Sequence, residues 1–129
     1  MECNQSNPVV WFEIYVQDMH RARAFYESVL QTSFTPMIDP TDSGLEILGF
    51  PSSVEDYGAP GALVKMEGAP SGFSGTLVYF KCDDCGVVAA RAAASGGKIF
   101  KEKMSIGQHG FIALVYDTEG NMIGLHSMQ

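Results

Sequence analysis

Glu13 stands in the run Val9-Val10-Trp11-Phe12-Glu13-Ile14-Tyr15-Val16, among residues that are otherwise apolar or aromatic. A carboxylate there must be hydrated, paired or protonated. Two readings stay open. In a cavity Glu13 would be a general base or a ligand anchor; otherwise it pairs with a Lys or Arg on a neighbouring strand, or sits at a wet edge. His126 offers an imidazole, the side chain whose ordinary titration falls near neutrality, and so an acid/base partner. The other reading is a surface histidine near the end of the chain. Tyr79 has a hydroxyl that can orient a ligand oxygen, or it is a core aromatic. Trp11, the one tryptophan, is either a platform for a ligand ring or a packing residue.

Cys82-Asp83-Asp84-Cys85 has C-x-x-C spacing. A structural zinc site needs a second pair of ligands; of the cysteines only Cys3 remains, and His109 and His126 are distant in sequence. A redox pair would sit at such a strand-to-helix corner, but two acidic residues between the thiols are expected to blunt their reactivity. Cys82 is therefore expected to be a buried apolar residue. Gly107-Gln108-His109-Gly110 reads as a turn, with His109 either at a cavity mouth or simply exposed. Gly96-Gly97 ends a helix, whereas a phosphate loop opens one. Lys98, Lys101 and Lys103 read as a solvated edge strand.

The elements that position these groups follow from periodicity. Val9–Val16 is β-branched and aromatic, hence a strand. Asp18 is a helix N-cap. Met19, Ala22, Phe25, Tyr26, Val29 and Leu30 recur at helical spacing, which predicts a helix over Met19–Leu30. Short strands are expected at Ser33–Met37, Leu45–Phe50 and Ala62–Met66, separated by the turn-rich stretch 39–44 and the loop 51–61. Thr76–Cys82 starts the same order again. A helix over Val87–Ala94 follows, stopped by Gly96-Gly97, then strands at Lys98–Lys101, Phe111–Tyr116 and Met122–Ser127. Both halves read β-α-β-β-β, as modules over residues 8–67 and 75–128 of a single domain spanning 1–129. An offset of 66 superposes Asp18 on Asp84. It also sets Trp11 on Leu77, Phe12 on Val78 and Glu13 on Tyr79.

Composition bounds the partners. The chain has 129 residues, 46% of them hydrophobic and 18% charged, enough to build a core without disulfides. Eight Lys and Arg against fifteen Asp and Glu give a net charge of -7. That charge disfavours nucleic acid and anionic membranes. Three cysteines, a polar N-terminal segment and no long apolar run point to a cytoplasmic setting.

The segments VQDMHRARAFYESVL (Val16–Leu30), GTLVYFKCDD (Gly75–Asp84), SGGKIFKEK (Ser95–Lys103) and DTEGNMIGLH (Asp117–His126) together resemble the vicinal oxygen chelate superfamily. That group includes glyoxalase I, bleomycin-resistance proteins and extradiol dioxygenases. The nearest likeness is to its short members related to lactoylglutathione lyase, whose activity is unassigned. The resemblance implies an α+β fold in which two βαβββ modules form a half-open mixed-sheet barrel around a cavity. A homodimer is also implied.

Metal-dependent relatives place His, Gln or Glu on four strands. Aligning the corners puts those positions at Trp11, at Leu63 or Val64, at Leu77 and at Gly124. None can ligate a divalent ion through its side chain, so no resident metal or other cofactor is expected. The cavity-facing set becomes Trp11, Glu13, Leu77, Tyr79, Met122, Gly124 and His126, with Glu13 and His126 as candidate catalytic groups. The expected function is binding of a small molecule in a metal-free cavity. The alternatives are a metal-dependent lyase, isomerase or dioxygenase of the same superfamily, or an interaction subunit whose cavity its own side chains fill.

Overall fold

The computed structural model describes residues 7–41, 44–53, 55 and 57–129. The N-terminal segment 1–6 with Cys3, Asp42 and Ser43 of the first turn, and Val54 and Asp56 of the following loop lie outside the described residues. The elements run β1 (Val9–Tyr15), α1 (Met19–Leu30), β2 (Thr35–Met37), β3 (Glu46–Gly49) and β4 (Gly61–Lys65). They continue as β5 (Thr76–Lys81), α2 (Cys85–Ala94), β6 (Lys98–Ser105), β7 (Phe111–Tyr116) and β8 (Met122–Ser127). No helix among the described residues is long and apolar enough to cross a membrane. The order β-α-β-β-β occurs twice, and the chain divides into two compact units.

One unit is Trp11–Leu77. In it β1 pairs in parallel with β4, and β3 lies antiparallel to both β4 and β2. Parallel neighbours need a crossover, and α1 is part of it. Asp18 starts that helix, its carboxylate accepting the Arg21 N–H at 3.0 Å. Gln31 ends it in the left-handed region (φ 53°). Phe34, Leu48 and Leu63 form the core, with Ile14, Val16, Met19, Ala22, Tyr26 and Phe50 packed on it. This is the face of β1 and β4 that α1 covers. Helical spacing put Phe25, Val29 and Leu30 on the apolar stripe as well, yet each is more than half exposed.

The other unit is Val78–Gln129 with Asn7–Val10 of the described N-terminal residues. Here β5 pairs in parallel with β8, and β7 lies antiparallel to both β8 and β6. Asp84 caps α2 from the Gly86 N–H at 2.9 Å. Cys85, Ala89, Ala113, Val115 and Leu125 make the core, joined by Phe80, Cys82, Ile99 and Ile123. The two Asp caps occupy matching corners, as the offset of 66 requires.

Strands β1 to β5 differ from expectation by a residue or two at their ends, and the departures at α2 and β6 have an evident cause. Helix α2 begins at Cys85 because Asp84 caps there, two residues ahead of the apolar pattern. Strand β6 runs on to Ser105. Register shifts between Ile99 and Lys101 and between Lys101 and Met104 absorb the break in alternation that Lys101-Glu102-Lys103 causes.

Candidate functional site

Strand alternation gives each unit a second face that its own helix does not cover. On Trp11–Leu77 that face holds Trp11, Glu13 and Tyr15 from β1. Their parallel register sets Glu13 beside Ala62 and Tyr15 beside Val64. Of the two β4 positions considered from sequence, Val64 is on this face, whereas Leu63 packs in the core under α1.

The Glu13 carboxylate is held from both sides along its own strand. The Trp11 indole N–H donates to Oε2 at 3.0 Å, and the Tyr15 hydroxyl donates to Oε1 at 2.5 Å. All three residues are half-buried. No Lys, Arg or His among the described residues pairs with Glu13; the ion pairs formed among them are Arg23–Glu27, Lys65–Glu46 and Lys103–Asp84. Neither sequence reading foresaw this clamp. Alternation puts Tyr15 on the same face, and its hydroxyl at i, i+2 from Glu13 is the sequence signal for this contact.

On Val78–Gln129 the uncovered face holds Tyr79 from β5 and Met122, Gly124 and His126 from β8. Tyr79 opposes Gly124 and Lys81 opposes His126 in the parallel ladder. Tyr79 is buried, and its ring lies against Gly124 where a Cβ would stand. Leu77, two residues before Tyr79, is buried too. The His126 ring is tied down, with Nε2 2.6 Å from the His109 carbonyl oxygen. A carbonyl only accepts, so Nε2 bears the hydrogen and Nδ1 of the neutral ring is left as an acceptor. His126 is thus an ordered strand residue, and His109, exposed in the turn Gly107–His109, anchors it through its backbone.

The C-x-x-C pair behaves as an apolar corner. Burial pushes the Cys82 thiol up, and the neighbouring Cys85, Asp83 and Asp84 push the same way, against the hydrogen bond to the His126 carbonyl. Its sulfur contacts the His126 carbonyl oxygen at 3.4 Å. Cys85 is fully buried and both thiols are free. Of the lysine cluster, Lys98 and Lys101 are exposed on the outermost strand β6, while Lys103 bonds Asp84 at 3.0 Å and lies over the Phe111 ring.

The donor set does not fit a divalent-metal centre of the kind the resemblance suggested. Trp11, Val64 and Leu77 have no ligating atom. Gly124 has no side chain, and the Tyr79 ring fills the space where a longer one would start. Among the described residues no three His, Cys, Asp or Glu side chains converge to hold an ion.

Residues 9–125 match the model of the Glyoxalase/Bleomycin resistance protein/Dioxygenase superfamily, and the chain belongs to that family. Two curated relatives share the name "Putative glyoxylase CFP32", one from Mycobacterium bovis and one from Mycobacterium tuberculosis. Each is 29% identical over 118 residues, which is 91% of this chain. The chain spans only 42% of the length of those relatives. Among solved structures, a methylmalonyl-CoA epimerase from Mycobacterium tuberculosis superposes with a TM-score of 0.66 at 17% identity, covering 95% of this chain and 88% of that one. A hypothetical protein from Bacillus halodurans C-125 superposes with a TM-score of 0.70 at 13% identity, covering 96% of each. At such identities the likeness speaks to fold, and the fold is the α+β glyoxalase-like one with eight strands and two helices.

Proposed function

We propose that this chain binds a small organic molecule on the face of β1 and β4 that α1 leaves uncovered, with Glu13 as its polar anchor and without a divalent metal. The observation that carries this reading is the clamp on Glu13. Two neutral donors fix the carboxylate, and about two of its four lone-pair sites stay open to a ligand. Trp11 and Tyr15 flank it, and Ala62 and Val64 lie beside it in the ladder. An apolar surface with a few placed polar groups is the usual make-up of a ligand site.

Tyr79, Met122, Gly124 and His126 are proposed as ligand-contact positions of the other unit in their own right, and Leu77 as one of the unit Trp11–Leu77. The His126 geometry favours a second reading, a proton-transfer enzyme using Nδ1 as base. A metal-dependent lyase, isomerase or dioxygenase is the alternative, and it would need donors that the matched positions do not supply. A homodimer in the cytoplasm fits the exposed Phe25, Val29 and Leu30 of α1 and the two free thiols. Sedimentation of the purified chain tests the dimer.

Trp11 is the only tryptophan, so its emission reports on the site. A screen of small organic compounds is expected to give hits that change Trp11 emission in the wild type and lose affinity in Glu13→Gln. Hits indifferent to Glu13→Gln would place binding elsewhere and remove the proposal.

A further inference from the structure

Among the described residues no side chain gives the Glu13 carboxylate a counter-charge, and the chemistry around it says which ligands can supply one. We infer that the site selects small organic cations, namely ammonium or guanidinium groups borne on an apolar or aromatic body. This rests on the reading of the β1 face as a ligand site and goes further by naming the ligand class.

Three observations point the same way. First, both donors on Glu13 are neutral, an indole N–H and a phenol O–H, so they orient the carboxylate without bringing a counter-charge. Second, no cationic side chain among the described residues pairs with Glu13, although ion pairs form elsewhere at Arg23–Glu27, Lys65–Glu46 and Lys103–Asp84. Third, the residues on either side of Glu13 on the same face are a tryptophan and a tyrosine. Such rings attract cations through their faces, tryptophan most strongly.

A ligand that covers Glu13 removes water from a half-buried anion. Desolvating a carboxylate without compensation is costly, so an apolar or anionic ligand is penalised on arrival. A ligand with N⁺–H donors supplies hydrogen bonds to the open lone pairs together with the missing charge. The preference is thus built in as much by rejection of the wrong ligands as by attraction of the right one. The net charge of -7 adds a weaker, long-range pull on cations.

The test is a matched series on one ring: benzylammonium, benzyl alcohol and benzoate, titrated against the full chain at low salt. Binding is read from Trp11 emission and from the amide and indole resonances of β1. Benzylammonium is expected to bind about tenfold or more tightly than the alcohol, the size of one charge-assisted hydrogen bond, with benzoate weakest. Raising the salt should weaken only the cation. Glu13→Gln should remove the difference between benzylammonium and benzyl alcohol while the melting temperature confirms a folded chain. If benzyl alcohol or benzoate binds at Trp11 as well as the cation does, the ligand class is wrong and the site stands. If none of the three perturbs Trp11 or the β1 resonances, both the class and the site are overturned.

Discussion

Oε2 of Glu13 accepts the indole N–H of Trp11 at 3.0 Å from two residues earlier on the same strand. The Tyr15 hydroxyl completes the grip from two residues later. A carboxylate held this way keeps its orientation without a basic partner, which leaves its charge available to a ligand. Loss of either donor should therefore loosen the anchor more than it weakens the fold. Tyr15→Phe and Trp11→Phe are each expected to lower stability by about 1 kcal/mol, the usual net value of one hydrogen bond. Ligand affinity should fall in both. Chemical denaturation and ligand titration check the pair, and unchanged affinity in both variants would show the clamp to be structural only.

The Tyr79 ring on Gly124 is the counterpart in the other unit. A Cβ at position 124 runs into the ring atoms Cδ2 and Cε2. Gly124→Ala should therefore destabilise the chain by about 1–3 kcal/mol, as overpacking does. Combining it with Tyr79→Ala should cost less than the sum of the two single changes. Strict additivity in denaturant melts would mean that the ring does not depend on the glycine.

Two carboxylates make stability fall in acid. The Lys103 ammonium hydrogen-bonded to Asp84 holds that carboxyl below its ordinary value, with the Gly86 N–H helping. The Asn121 backbone N–H, then its side chain, do the same for Asp117 in the turn before β8. A lowered folded-state pKa means that the unfolded chain binds more protons as pH drops. This stability is complete above the unfolded value of about 3.9 and disappears as pH falls through the folded value. The melting temperature of Asp84→Asn/Asp117→Asn should depend less steeply on pH below about 4 than that of the wild type. Equal acid slopes would count against both hydrogen-bond sets as a source of acid sensitivity.

The cysteine corner should be chemically quiet. With Cys3→Ser removing the third thiol, iodoacetamide near neutral pH is expected to modify Cys82 slowly and Cys85 only after unfolding, since a raised, desolvated thiol holds little thiolate. Rapid labelling of the folded chain, followed by mass spectrometry, would contradict that assignment and reopen a redox role.

Periodicity made much of the fold legible in the sequence. The β-branched run of β1, the spacing along α1 and the two Asp corners needed only local pattern. The limits of α2 and β6 did not follow it, because a cap at Asp84 and two register shifts in β6 override apolar spacing. At the site, alternation set Trp11, Glu13 and Tyr15 on one face. It could not show that Glu13 bonds its own strand neighbours in preference to a lysine across the sheet, since that depends on side-chain reach. The Tyr79–Gly124 contact depends on the β5–β8 register, which only the folded chain specifies. The same holds for Phe12, whose ring lies over Gly61 in the β1–β4 pair.

The central claim is a ligand site anchored by Glu13 that needs no resident divalent ion. Elemental analysis of the purified, tag-free chain tests it most directly, as isolated and after dialysis against zinc, nickel, iron and manganese followed by removal of free metal. The account predicts no ion retained in stoichiometric amount under any condition, with ligand binding at Trp11 unaffected by chelator. One tightly held ion per chain or per dimer, required for that binding, would contradict it.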